Sequence, residues 1–146
     1  MTPESLARLH ARCFTSPPPW SSAAFAALMA DRQVFLLLEG EAGFLLGRAV
    51  AGEAELLTLA VAPQARRQGL GRRLVGRFLD QGRRRGACTA LLEVSVDNRP
   101  AQALYRAAGF AEVGRRPGYC RSGTGAPLDA LILRRALTEA AAADPT

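Results

Sequence analysis

The sequence predicts an α/β (α+β) protein, a mixed sheet with helices on both faces, in the element order α-α-β-β-β-α-β-α-β-β. Short apolar runs recur along the chain, bounded by Gly, Pro or Asn, as strands require. Between them the apolar spacing switches to the helical period. The 146 residues, 49% of them hydrophobic, suffice for one domain with a substantial core.

Thr2 ahead of Pro3 is a helix start, an N-cap followed by proline at the first helical position. Leu6, Leu9, His10, Cys13 and Phe14 continue that helix at helical spacing. The prolines of "TSPPPWSS" end it, and Ser21 or Ser22 caps a short second helix to about residue 30. "QVFLLLEG" reads as a strand and "EGEAG" as a tight turn. "FLLGRAVAG" and "EAELLTLAV" are two more strands, and the three form an antiparallel meander ended by Pro63. A helix over 69–84 follows, with Leu70, Leu74, Val75, Phe78 and Leu79 on one stripe. "RRRG" closes it, with positive charge at the negative end of the helix dipole and Gly86 at the C-cap. "CTALLEVSV" is the next strand. "NRPAQALYRAAG" is a helix of about three turns, begun by Asn98 and ended by Gly109. "FAEVGRR" and "LDALILRR" are the last two strands, separated by a loop rich in Gly, Pro and Ser. No repeat or linker divides the chain, so residues 1–137 are expected to form a single domain and 138–146 a flexible tail.

The formal charge is +6 and every basic side chain is an arginine, concentrated between Arg66 and Arg85. Such a field favours polyanions. No apolar run approaches the roughly 20 residues of a membrane span. "MTPESLARLHARCF" lacks the uninterrupted apolar stretch of a signal peptide, so a soluble, cytoplasmic protein is expected. Cys13, Cys88 and Cys120, odd in number and without C-x-x-C, suggest neither a disulfide framework nor a zinc site. Cys13 and Cys88 sit in apolar patterns and read as small core residues. With His10 the only histidine, no His-based metal site and no Ser-His-Asp or Cys-His set can be assembled; no metal is expected.

In "QARRQGLGRRL" a strand leads through two glycines into a helix N-terminus, which is the layout of a phosphate cradle. Gly69 and Gly71 allow close backbone approach, and the first helical amides point outward without partners. Arg66 and Arg72 can add charge-assisted bonds from either side. The pattern is neither G-x-x-x-x-G-K-[ST] nor G-x-G-x-x-G. A solvated basic helix start is the plain alternative. Direct nucleic-acid binding is disfavoured, because the arginines keep to one helix with no aromatics interleaved.

R-x-x-G-x-G in "RRQGLG" resembles the acetyl-CoA pyrophosphate loop of the GNAT N-acetyltransferases. "LAVAPQARRQGLGRRL", "LLEVSVDNRPAQALYRAAGF" and "VGRRPGY" resemble successive blocks of that family's RimI branch, and "PPPWSSAAF" its Pro-Trp-Ser segment. The branch acetylates protein N-termini, in its best-known case the N-terminal alanine of a small-subunit ribosomal protein. The resemblance implies the GNAT fold, a mixed and mostly antiparallel sheet, here without the strand that precedes the first helix in many members. It implies acetyl-CoA as cosubstrate, a protein N-terminus as acceptor, and direct transfer in a ternary complex. From the residues themselves, no metal, no direct nucleic-acid binding and no membrane association are expected, and a monomer or weak dimer is expected. GNAT acetylation of a small-molecule amine or protein lysine, and a non-catalytic acyl-CoA-binding module, are the alternatives.

By the same resemblance, Arg66, Arg67, Gln68, Gly69, Leu70, Gly71 and Arg72 hold the pyrophosphate, and Leu59, Ala60 and Val61 supply the backbone oxyanion donor. Glu93 is by spacing alone an exposed strand residue; the resemblance makes it the general base, acting through a water. Tyr105 reads as a half-buried core tyrosine or, by resemblance, as the acid that protonates the leaving thiolate. Asn98 is a helix cap, a coenzyme contact, or both. Trp20 either lines the acceptor slot or packs over the core, and Tyr119 borders the slot. Glu53 and Glu55 are an acidic lip or simple strand-edge solvation. The chain departs from the branch's Y-Y-P stretch, carrying Gly118 and Cys120 where the first tyrosine and the proline stand, while Tyr119 and Asp129 are kept.

Overall fold

The computed structural model describes residues 1–14, 19–121 and 126–137. Local chemistry sets its first elements. The Thr2 hydroxyl accepts from Ser5 N–H and the Ser5 hydroxyl accepts from Thr2 N–H, a reciprocal cap that starts helix α1, Pro3–Cys13. Ser21 rather than Ser22 caps α2, Ser22–Met29, its hydroxyl accepting from Ala24 N–H. Strands β1 (Val34–Glu39), β2 (Gly43–Val50) and β3 (Glu53–Val61) form the expected meander. Pro63 then opens a short 3₁₀ turn, Pro63–Ala65. Helix α3 (Leu70–Arg84), strand β4 (Thr89–Ser95), helix α4 (Arg99–Ala107) and strands β5 (Ala111–Arg121) and β6 (Pro127–Ala136) complete the order.

The six strands lie in the order β1-β2-β3-β4-β6-β5, and β3 with β4 is the one parallel pair. This is the mixed, mostly antiparallel sheet that was expected. On one face Leu74, Val75 and Phe78 of α3 and Tyr105 of α4 pack on Leu45, Leu92 and Leu133. On the other, Leu6 and Leu9 of α1 and Phe25 of α2 pack on Phe44, Leu46 and Ala60. Among the described residues no helix is long and apolar enough to cross a membrane.

Three expectations are corrected. Strand β5 does not stop at "FAEVGRR" but runs through Pro117 and Gly118 to Arg121. It is an edge strand, where a proline's missing donor costs no ladder bond. Its register shifts between Arg116 and Cys120 let Gly118 take φ +64 inside the strand, with its N–H donating to Asp129 Oδ1 at 3.0 Å. Cys88 is exposed and Cys120 buried, the reverse of the core assignment made for Cys88. The backbone of Cys88 binds Gly52 and Leu137 on either side, and the thiol faces outward. Gly86, at φ +85, follows a C-cap formed by Arg85. The expected tail, 138–146, and most of the last inter-strand loop lie outside the described residues.

Strand β3 carries the feature that opens the sheet. Its pairing with β2 runs Leu46↔Thr58 and then Gly47↔Leu56, so Leu57 is an extra residue, a β-bulge. Leu56 consequently packs with the α3 layer, whereas Thr58 and Ala60 turn to the α1 layer. The parallel pairing with β4 runs from Glu53↔Thr89 to Leu56↔Leu92 and ends there. Beyond that point the two strands part.

His10 braces the parted strand. Its ring is 1% exposed and stacks on Phe14 (4.2 Å) and Trp20 (5.2 Å). Trp20 N–H donates to Nδ1 at 3.1 Å, so Nε2 carries the proton and donates to Thr58 Oγ1 at 2.9 Å. Burial disfavours the imidazolium and lowers the pKa from 6.5 to about 4. Between those values the unfolded chain binds a proton that the folded chain does not. His10's contribution is therefore full above about pH 6.5 and is lost as pH falls towards 4, by up to roughly 3 kcal/mol. Urea melts at pH 7.5, 6 and 5 should show the midpoint falling, and the fall should be smaller in His10→Gln.

Candidate active site

Where β3 and β4 separate, a cleft of about 390 Å³ opens between them. Leu57, Thr58 and Leu59 line it from β3, Glu93, Val94 and Ser95 from β4, Tyr105 from α4, and His10, Trp20, Tyr119 and Cys120 from its rim and floor. A second cavity of about 690 Å³ is lined by Val61, Arg66, Arg67, Gly69, Leu70, Gly71, Arg72, Pro100 and Leu104. Consecutive stretches of one strand and one helix serve both: Leu59 then Val61, and Tyr105 beside Leu104.

The second cavity is the arginine-glycine loop. Arg67 (φ +68) and Gly69 (φ +78) hold left-handed backbone, curling the loop so that amides turn inward. For arginine that conformation is strained by on the order of 1 kcal/mol, a cost typical of ligand clamps. Gly69 caps α3 without a side chain, and the first helical bond runs from Arg73 N–H to the Gly69 carbonyl. The amides of Leu70, Gly71 and Arg72 thus have no partner within the helix. A Cβ at Gly71 would sit 3.2 Å from Leu104 Cδ2, so glycine there lets α3 and α4 meet closely. Arg66 donates from Nε to the Val61 carbonyl at 3.1 Å, tying loop to strand. Gln68 is exposed and lines neither cavity, and Ala60 is buried in the α1 layer.

Glu93 is the first residue of β4 beyond its last pair with β3. Alternation sends Leu92 and Val94 into the α3 layer and Glu93 to the other face, where its side chain is 24% exposed. Arg116 Nε pairs with its Oε2 at 2.6 Å, and the Arg116 guanidinium carbon lies 5.2 Å from the centre of the Tyr119 ring. Tyr119 itself is 60% exposed, at the mouth.

Tyr105 is 6% exposed, and its phenol makes no hydrogen bond to any described residue although it lines the cleft. A buried polar group left without a partner is uncommon and points to a missing ligand. Burial pushes its pKa well up, so the phenol stays protonated. The ring packs edge-on to Phe110 at 6.1 Å, so Tyr105 is a core residue and a cleft residue at once. The two readings of Asn98 likewise coexist: its Oδ1 accepts from Ala101 N–H at 3.2 Å, and it lines the cleft. Trp20 both packs on His10 and lines the cleft. Glu55 sits at the rim, paired to Arg48 at 2.9 Å, while Glu53 is exposed.

Two cleft residues and one partner of Glu93 went unmarked in the sequence. His10 carried only a helical-stripe signal, Cys120 appeared as a departure from a motif, and Arg116, which pairs with Glu93, as half of an R-R pair. Burial raises the Cys120 thiol pKa, outweighing the hydrogen bond with Ser95.

Comparison with known proteins bears on this geometry. Residues 4–110 match the Acetyltransferase (GNAT) family. The chain is 38% identical over 118 residues to the [ribosomal protein bS18]-alanine N-acetyltransferase of Escherichia coli (strain K12), covering 79% of each. It is 39% identical over 137 residues to the N-alpha-acetyltransferase RimI of Mycobacterium tuberculosis, covering 88% of this chain and 83% of that protein. A Mycobacterium leprae protein described as uncharacterized is equally similar, but the chain spans only 36% of its length. The crystal structure of the ribosomal-protein-S18-alanine N-acetyltransferase from Escherichia coli superposes with a TM-score of 0.82 at 32% identity, covering 92% of this chain and 87% of that one.

Gly71→Asp would place a carboxylate among the free amides of α3. Calorimetry should show coenzyme A binding weakened by at least about tenfold, in a chain that still unfolds cooperatively, its melting temperature lowered only as far as Leu104 must shift to admit the new Cβ. Normal binding would remove the loop from the site.

Proposed function

The chain belongs to the acetyltransferase (GNAT) family, whose members use acetyl-CoA, and on that premise we propose that it acetylates the α-amine of protein N-termini, with the N-terminal alanine of a small-subunit ribosomal protein as leading acceptor. One observation carries the reading. The gap between β3 and β4 presents a carboxylate, Glu93, and a buried unpartnered phenol, Tyr105, beside a loop shaped for phosphates.

Bound acetyl-CoA supplies an activated acetyl thioester; Arg67, Arg72 and the amides of Gly69, Leu70 and Gly71 face its pyrophosphate. Glu93 takes a proton from the acceptor ammonium through a water. An N-terminal amine has a reference pKa of about 7.7–8.0 against about 10.4 for lysine, so a carboxylate base suffices for the former. A backbone N–H of Leu59, Ala60 or Val61, on the strand edge that β4 has left, donates to the oxyanion as the amine attacks. Such a donor is worth about 3 kcal/mol. Tyr105, the one phenol at the buried end of the cleft, donates to the departing sulfur.

Transfer is direct. The cleft's one cysteine, Cys120, is held as a neutral thiol by burial. The cleft's one histidine bonds Thr58 and Trp20 instead of activating a nucleophile. The mouth at Tyr119 is open, as an extended peptide N-terminus needs.

Thiol release from acetyl-CoA should be seen with a peptide beginning Ala-Arg and not with one whose N-terminus is blocked and which carries an internal lysine. The reverse result would replace an N-terminal acceptor by a side-chain one. Glu93→Gln should lower kcat about 100-fold and Tyr105→Phe somewhat less, both with acetyl-CoA affinity unchanged. Wild-type turnover in both variants would remove the catalytic assignments.

A further inference from the structure

We propose that Arg116, braced by Tyr119, is a positioning residue that holds Glu93 with one carboxylate oxygen turned toward the acceptor. The proposal rests on Glu93 being the base.

The contact is made at one nitrogen. Arg116 Nε forms an ion pair with Glu93 Oε2 at 2.6 Å, and no other described residue pairs with or bonds that carboxylate. A forked, bidentate pairing would occupy both oxygens. Here Oε1 keeps its lone pairs for the water or amine in the cleft that Glu93 lines.

The guanidinium is fixed in turn. Its carbon lies 5.2 Å from the Tyr119 ring centre, within cation–π range. Residues three apart in a regular strand point to opposite faces and could not meet in this way. Arg116 and Tyr119 meet because the β5 register shifts between Arg116 and Cys120, where Gly118 takes φ +64 and is tied to Asp129. The neighbouring Arg115 is committed to Asp129 and Glu112. Glu93 is the one described carboxylate within reach of Arg116.

With the Arg116 side chain 55% exposed, the pair contributes little to folding. Its effect lies in orientation. A glutamate facing an open cleft samples several rotamers, and each turnover would otherwise have to select the productive one.

The test is a double-mutant cycle on kcat with the Ala-Arg peptide, using Arg116→Gln, Arg116→Lys, Glu93→Gln and Glu93→Gln/Arg116→Gln. Arg116→Gln should lower kcat about tenfold while the KM for acetyl-CoA stays at the wild-type value, which also reports an intact fold. Arg116→Lys, which restores the charge without the planar Nε, should recover part of the loss. In the Glu93→Gln background the Arg116→Gln change should have no further effect, because no base is left to orient. Losses that multiply in the double variant would overturn the proposal, as would wild-type kcat in Arg116→Gln, including the case where only the peptide KM changes. Wild-type kcat in Glu93→Gln alone would remove the base and this proposal with it, an outcome distinct from the other two.

Discussion

The separation of β3 from β4 is the constraint on which the rest of the site depends. A parallel pair held only from Glu53↔Thr89 to Leu56↔Leu92 leaves two strand edges bare inside the molecule. Bare backbone edges are costly unless something satisfies them, and a cleft that admits a substrate's own amide groups is one resolution. The extra residue Leu57 does the opening, since it re-aims β3 and passes its side chains from one core to the other. Thr58 then reaches His10, which links the displaced strand to α1 and to the backbone of Trp20. The neutral histidine is thus structural, a tie rod between the helical layer and the strand that forms the cleft wall.

Local chemistry was readable wherever one residue decides an element. Thr2, Ser21 and Asn98 cap their helices as their side chains dictate, and the arginine-glycine loop carries its backbone demands in its glycines. The bulge at Leu57 was not readable. In "EAELLTLAV" the alternation does break at Leu56-Leu57, but both faces of β3 are covered by helices, so its second half reads as an ordinary buried strand and the adjacent leucines do not by themselves mark an exchange of faces. The course of β5 was hidden for the opposite reason. Pro117 and Gly118 look like a turn, yet an edge strand absorbs both in a bulge. The Arg116–Tyr119 contact depends on that bulge, and Arg116 reaches Glu93 through the register of β5 on β6 and β6 on β4, so sequence spacing could not have brought the three together. For Glu93 and Tyr105, spacing left each residue two readings, and a resemblance chose between them.

The net charge of +6 is not spread evenly in its effects. Arg73 and Arg77 close on Glu39, whose carboxyl pKa is lowered first by the Arg73 hydrogen bond. Arg48 closes on Glu55, Arg83 on Asp80, and Arg106 and Arg115 on Glu112. Arg67 and Arg72 have no carboxylate partner among the described residues, and both line the loop cavity. Together with Arg66 they bring three arginines without a carboxylate partner among the described residues to the N-terminus of α3, where the helix dipole has the same sign. An anion with two adjacent charges fits that field better than the spaced phosphates of a nucleic-acid backbone, which would need basic groups along a face.

In the proposed mechanism the two proton-handling groups lie at different depths, with a consequence for how sulfur would depart. Tyr105 is buried and its pKa is raised, so full ionisation to phenolate is unfavourable. A thiol with a reference pKa of about 8.5 is a stronger acid than a tyrosine phenol with one of about 10, and simple proton transfer to its thiolate would run uphill. The thiolate, however, would form in the same desolvated space, and burial raises its pKa by the same physics. The two affinities move together, and a short hydrogen bond from the phenol would stabilise the leaving sulfur without the proton having to cross completely. Under the proposed mechanism Glu93 has the opposite requirement. As base it would have to give up its proton to solvent after each turnover, and its partial exposure beside Arg116 would provide that route. The proposed acid is thus kept dry and the proposed base wet, and the one cleft supplies both environments, from β4 and from α4.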